Sequence, residues 1–356
     1  MSDEYIFLNK FAGLEEYNDF FCPLSPYQSF VRFFETGIID RTETLDFGFK
    51  YKVLDPVPSL GGVQDFLDFE QLIKARANDA AITASDMNRP INVLWSGGID
   101  STAVLIAMIQ EMGEEAFKKE ATISLTIGSV FEFPEFYQHL VEKKFNFKLA
   151  CHPVSKYISQ DSLNISGEHG DQLFGSDKMI PFVDIGMGDV SYQKVVPLLM
   201  MEKLSDTDKV DALLAYIEPV MNKAPYPIVN ICDYLWWINF VFKWQQVSLR
   251  IATWTFDNVK DTYDSLFHFY RSINFQKWSM SQINKNPGKS TKYKIPLKLF
   301  IKSYFDCESY FQNKTKEISL RPKGEKKFWH LNRNKWSLII DSEWNLNRKQ
   351  IVNYIL

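Results

Sequence analysis

Short apolar runs alternate with longer helix-length ones through the middle of the chain. Ile91-Asn92-Val93-Leu94-Trp95 is brief and largely apolar, as a strand buried on both faces should be. Ser101 through Met112 is an apolar run of helical length, closed by Gly113. A second strand is predicted over Thr122–Ser129, ending in a turn of small residues. Pro134 then opens a helix reaching about Phe145, at a first-turn position where its missing N–H costs nothing. Phe147 to Cys151 reads as a third strand, and Leu163 begins another short apolar strand. Strands and helices in this alternation imply right-handed crossovers and a parallel sheet with helices on both faces, an α/β fold.

The flanks differ in texture. From about Val190 to Ile283 long apolar segments with few glycines predict a helical lobe, about 190–285. Its aromatic clusters, Asp233–Phe240 and Phe267–Ser279, read first as core. His268 and His152 read as satisfied structural histidines. The first 75 residues are dense in Phe and Tyr and broken by Pro23, Pro26, Gly37, Gly48, Pro56, Pro58 and Gly61-Gly62. They predict a small β-rich region of short strands and turns, with one helix near Pro26 to Glu35. The expected division is therefore 1–75 and 76–356.

Between the first strand and its helix lies Trp95-Ser96-Gly97-Gly98-Ile99-Asp100-Ser101. Gly97 and Gly98 let backbone approach phosphate oxygens, Ser96 and Ser101 add hydroxyls, and the helix start directs free amides at an anion. Asp100 beside phosphates requires a divalent cation between them, which predicts Mg²⁺. The segment lacks the Gly-Lys-Ser/Thr ending of a Walker loop and is not a dinucleotide fingerprint. A structural turn is the competing reading.

This loop resembles the SGGxDS loop of the N-type ATP pyrophosphatases, which split ATP between the α and β phosphates. A second stretch, Ser166-Gly167-Glu168-His169-Gly170-Asp171-Gln172-Leu173-Phe174-Gly175, resembles the SGEGxDExFGG segment of asparagine and β-lactam synthetases. The resemblance implies an adenine nucleotide α-hydrolase-like fold binding ATP and Mg²⁺. It places Ser96, Gly97, Gly98, Ser101, Leu94, Gly167 and, at the adenine, Ile127 around the nucleotide. Asp100 and Asp171 would hold the metal, and Glu168 would lie beside the reacting carboxylate and amine. Leu320-Arg321-Pro322-Lys323-Gly324-Glu325 is similar to the family's RxKxG-type stretch, making Lys323 the pyrophosphate-side lysine, with Lys316 or Lys294 as alternatives. The helical lobe corresponds to an acceptor-closing lobe, in which Asp233, Asn239 and Arg271 would fix the substrate.

There are departures from the pattern. Gln172 stands where the family has Glu, His169 where it has a small residue, and only Pro153 to Ser162 separates the third strand from the acidic turn. The chain begins Met1-Ser2-Asp3 with its first cysteine at 22, so no glutaminase is expected at its start. Nitrogen would then come from ammonia, a separate ammonia-supplying protein, or an amine substrate.

The expected activity is an AMP-forming carbon–nitrogen ligase acting on a small-molecule carboxylate. Two rivals stay open: a nucleotide- or nucleic-acid-modifying enzyme with the same adenylation chemistry, and a non-catalytic ATP-binding module. Composition adjusts this picture at the margins. At 356 residues and 46% hydrophobic content a large core is attainable. Cysteines 22, 151, 232 and 307 have no CxxC spacing, which argues against a zinc site or disulfide framework. The net charge of −4 offers no global attraction to nucleic acid, but Lys314–Lys335 carries eight Lys/Arg against two Glu around Phe328, Trp329 and His330. No secretory signal is seen and no apolar run approaches the roughly 18 residues of a membrane span. A cytoplasmic protein without membrane contact is the expectation.

Overall fold

The computed structural model describes residues 4–8, 26–61, 68–150, 158–175, 177–254, 259–283, 294–314, 335–340, 344 and 346–350. Eight strands occur among them: β1 (Tyr5–Leu8), β2 (Ile91–Leu94), β3 (Ala121–Leu125), β4 (Phe147–Leu149), β5 (Leu163–Ser166), β6 (Leu266–His268), β7 (Lys335–Ile340) and β8 (Leu346–Gln350). Five form a parallel sheet in the order β4-β3-β2-β5-β6, and β1-β7-β8 form a separate antiparallel sheet. The fold is therefore α/β, as the alternation of runs predicts.

Strand order reverses between β2 and β5. The chain builds outward from β2 through β3 to β4, then returns to place β5 on the other side of β2, with Leu94 opposite Ser166. Loops leaving two such strands part in opposite directions and leave a crevice at their carboxyl ends. The register there is fixed by a buried polar ladder. Ser124 donates to Asn92 at 2.7 Å, Asn92 to Asn164 at 2.8 Å, and Asn164 to the Ser159 carbonyl at 2.8 Å. A slip of either strand would strand these groups without partners.

The helix after β2, Ile99–Met112, buries nearly every residue from Ile99 to Ile109. It packs against Phe69–Asp86, whose start carries a reciprocal Asp68/Gln71 cap, and against Ile295–Tyr304.

Three expectations are corrected. The second strand ends at Leu125, because Thr126 and Ser129 cap each other's backbone and start a helix, Ile127–Glu132, where strand was predicted. The third strand ends at Leu149; Cys151 to Lys156 and Tyr157, in the short link, lie outside the described residues. The stretch 190–283 is largely helical, through Tyr192–Leu204, Thr207–Met221, Ile231–Phe242 and Trp244–Arg250, yet it also supplies β6, the fifth strand of the sheet.

Near the N-terminus the predicted helix forms as Pro26–Phe34. The strand content of the described residues there is β1 and a bridge at Tyr51, while 35–61 is mostly turn. Asp40 organises that turn by accepting from the amides of Thr42, Thr44 and Leu45. The aromatic cluster of the helical lobe is core, as its first reading has it: Trp237, Phe240 and Trp244 are fully buried, and Phe242 packs edge-on against Phe30 at 4.5 Å. Cys232 and Cys307 are free thiols. Among the described residues no helix is long and apolar enough to cross a membrane.

Candidate nucleotide site at the strand crevice

The Ser96–Ser101 loop leaves β2, and Gly167–Asp171 leaves the adjacent β5, so both motifs open into the same crevice. Ser96 and Ser101 hydroxyls lie 2.9 Å apart, Ser101 Oγ accepts from the Ser96 amide at 3.1 Å, and Ser101 donates to the Gly98 carbonyl at 3.2 Å. Trp95 is buried beneath, donating to Thr102 Oγ1 at 3.0 Å. The helix begins at Ile99 rather than 101, which puts Asp100 in its first turn.

Two glycines are required by the packing of one motif on the other. A Cβ on Gly167 would stand 2.9 Å from the Ser101 amide nitrogen, and a Cβ on Gly170 would fall inside the Asp100 carboxylate. Gly97, at φ +82°, lies directly against the Ser129 carbonyl. Between the glycines His169 adopts φ +75°, a left-handed conformation that histidine tolerates better than most residues. On its two sides Glu168 pairs with Arg250 and Asp171 with Lys294.

Lys294, at the start of Ile295–Tyr304, places its ammonium between Asp100 and Asp171. It is bonded to Asp100 Oδ2 and lies 2.7 Å from Asp171 Oδ1. Its side chain is 2% exposed. Burial by itself pushes a lysine toward its neutral form, but the two carboxylates outweigh this and hold the ammonium above its ordinary pKa. The carboxylates are positioned through their backbones. Tyr270 Oη donates to the Asp100 carbonyl at 3.1 Å, and Asn239 Nδ2 to the Asp171 carbonyl at 2.9 Å.

Glu168 pairs with Arg250 at the end of Trp244–Arg250. Behind it lie two buried histidines. His268 is bonded at both nitrogens, to Ser166 Oγ at 2.8 Å and the Ser248 carbonyl at 2.9 Å, as a structural histidine should be. Burial and then Arg271 push it down to about 3. His169 bonds Ser248 Oγ at 2.8 Å and, chiefly through burial, is also driven toward the neutral form. The departure Gln172 is buried and donates to Asn239 at 3.4 Å, a link within the scaffold.

On the other side of the loop, Glu132 lies against Gly97 and Gly98 and pairs with Lys314 at 3.0 Å. Tyr310 stacks on Phe133 at 3.7 Å beneath them.

The predicted site residues thus divide. Ser96, Gly97, Gly98, Asp100, Ser101, Gly167 and Asp171 come together at the strand ends, Glu168 beside them turns to Arg250, and Leu94, the last residue of β2, packs into the cluster around Leu249 and Val259. Ile127 sits in the first turn of its helix, 63% exposed, instead of ending a strand. Lys323 and Lys316 lie outside the described residues, as does the basic segment from Thr315 to Asn334, and the lysine found at the carboxylates is Lys294. Asp233, Asn239 and Arg271 are engaged within the scaffold: Asp233 with Asn230 at 2.8 Å, Asn239 as above, and Arg271 with Asp55 at 2.7 Å. Arg250, Tyr270 and Glu132 also come to the site, and nothing in the sequence marks them. Each sits in an apolar or mixed run that reads as core or solvated face, so periodicity carries no signal for them.

Two carboxylates in one place suit a hard divalent cation, which binds through one or two protein carboxylates and takes its other oxygens from phosphates and water. Among the described residues no group of three or more His, Cys, Asp or Glu side chains is arranged to hold a metal. That donor set fits a metal carried by a nucleotide better than one caged by protein. No protein-family model matches the chain, and no curated protein matches it.

Proposed function

We propose that this chain is an ATP-dependent, AMP- and pyrophosphate-forming synthetase that activates a substrate carboxylate and transfers it to ammonia or an amine. The observation that carries the reading is the meeting of Ser96–Ser101 and Gly167–Asp171 at the carboxyl ends of adjacent parallel strands, where the strand order reverses, around Asp100, Asp171 and Lys294. That order also supports the finer assignment to the adenine nucleotide α-hydrolase type of fold.

In this reading the loop amides and the hydroxyls of Ser96 and Ser101 bind the polyphosphate, with the N-terminus of Ile99–Met112 aimed at it. An oxygen of the substrate carboxylate attacks the α-phosphorus, the bond to the bridging β-oxygen breaks, and pyrophosphate leaves. Nitrogen then attacks the acyl carbon, AMP departs, and the nitrogen loses a proton toward Glu168. Asp100 and Asp171 would hold Mg²⁺, which when bound neutralises charge on the polyphosphate. Lys294 supplies the mobile positive charge that the resemblance assigned to Lys323, following the negative charge that grows on the departing group. Arg250 fixes the direction of Glu168. Alignment of carboxylate, α-phosphorus and amine supplies the largest share, roughly 7–11 kcal/mol.

The test is ATP–[³²P]pyrophosphate exchange over a panel of carboxylates. The wild-type chain should exchange with at least one, and Asp100→Ala should lose about 10²-fold or more. Exchange indifferent to Asp100→Ala would remove the site. Failure to bind ATP at all would leave a structural module, and salt-sensitive retention on single-stranded DNA would redirect the acceptor to nucleic acid.

A further inference from the structure

The ammonium of Lys294 lies where a cation shared by Asp100 and Asp171 would have to lie. It bridges one oxygen of each carboxylate, from a side chain almost wholly removed from solvent. The three groups together carry one net negative charge. A metal drawing an oxygen from each carboxylate at about 2.1 Å would take up the space between them and meet the ammonium at short range in a poorly screened setting.

We propose that Lys294 is the resident counter-cation of this site and competes with the divalent metal for Asp100 and Asp171. Lys294 holds the two carboxylates together before the nucleotide arrives, and leaves them when the metal enters. Its ammonium, on a flexible four-carbon stem, is then released to the polyphosphate. One residue so couples metal arrival to the availability of the charge that pyrophosphate departure needs. The inference rests on reading Asp100 and Asp171 as the metal-bearing carboxylates.

The test is Mn²⁺ binding to the whole chain without nucleotide, read as loss of the free-ion electron paramagnetic resonance signal. Lys294→Met should bind Mn²⁺ about tenfold or more tightly than wild type, and Lys294→Met with Asp171→Asn should lose the gain. Removing the ammonium takes a buried cation away from two carboxylates and costs stability, so a second measurement uses the wild-type chain. Lysines are acetylated with and without Mg²⁺ and quantified by mass spectrometry. Labelling of Lys294 should rise with Mg²⁺, while that of Lys74, an exposed surface lysine, should not. Equal Mn²⁺ affinity in both proteins, or Mg²⁺-independent labelling of Lys294, overturns the competition. Either result is separate from the exchange assay, so adenylation can survive the loss of this inference, and the competition can survive the loss of adenylation.

Discussion

At the scale of single residues the site is built by what is left out. Gly170 has no side chain because the Asp100 carboxylate occupies the place of its Cβ. Gly170→Ala should therefore displace Asp100, lowering exchange by about 10²-fold, the penalty expected of a misplacement near 1 Å. Its cost in stability should stay at about 1–3 kcal/mol, measured by urea unfolding; exchange at the wild-type level would show that the contact is not needed. Buried His169 and His268 both add a pH dependence of one sign, while Asp233, raised to about 6 chiefly by burial, opposes it; His268 is the one to follow. Its folded value near 3 lies below the ordinary 6.5, so the unfolded state binds the extra proton. The stabilising contribution is present above about pH 6.5 and is lost as pH falls toward 3. At pH 5 the gap of about 1.5 pH units from the unfolded value is worth about 2 kcal/mol. His268→Asn should remove that loss from the change in urea-unfolding stability between pH 7.5 and pH 5. An equal pH dependence in both proteins would assign the loss to other groups. The glycines and carboxylates of the site are legible in the sequence because close packing of one turn on another admits few residue types. Lys294 was visible only as one of several lysines, since nothing in its spacing says that it turns inward.

At the scale of elements, legibility followed length. β2, β5 and the helix after β2 stood out because each is an apolar run bounded by small residues. β6 did not, since three residues, Leu266-Phe267-His268, show no period, and they lie inside an aromatic stretch that reads equally as helix. Thr122–Ser129 reads as one strand because Ile127 prolongs the β-like composition, whereas the reciprocal Thr126/Ser129 cap decides for a helix. What keeps β6 and its following turn in place comes from far away in sequence. Asp55 takes two hydrogen bonds from Arg271, at 2.7 and 2.9 Å, with both side chains mostly buried. Tyr270, the adjacent residue, bonds the Asp100 backbone, so the pair sits one residue from the site. Asp55→Asn leaves Arg271 without its carboxylate and should destabilise the chain by about 3–5 kcal/mol. Thermal unfolding checks this, and a change below about 1 kcal/mol would mean that the pair behaves as an exposed one.

At the scale of the molecule, the residues before the sheet are tied into the core of the helical lobe. Arg41 is buried, donates to the Phe240 carbonyl at 3.0 Å and to Gln276 Oε1, and lies over the Trp244 ring at 4.4 Å. Trp244 in turn meets His169 at 4.5 Å, so the turn carrying Glu168 rests on a wall that the N-terminal residues complete. The helix Pro26–Phe34 buries Tyr27, Phe30, Val31, Phe33 and Phe34. At about 2 kcal/mol for each fully buried side chain these contribute roughly 10 kcal/mol, comparable with the whole stability of an ordinary domain. Removing residues 1–61 should therefore not release a smaller chain that folds by itself. The truncated chain should lack a cooperative urea transition and near-ultraviolet circular dichroism, and supplying residues 1–61 as a separate peptide should restore some of both. A truncated chain that unfolds cooperatively, with the wild-type dependence on denaturant, would show that the sheet and helical lobe close their core alone. The buried Arg41 makes that outcome hard to reach. Without it the Phe240 carbonyl and Gln276 side chain lose a donor in a region closed to water, and Trp244 loses the cation stacked on its face.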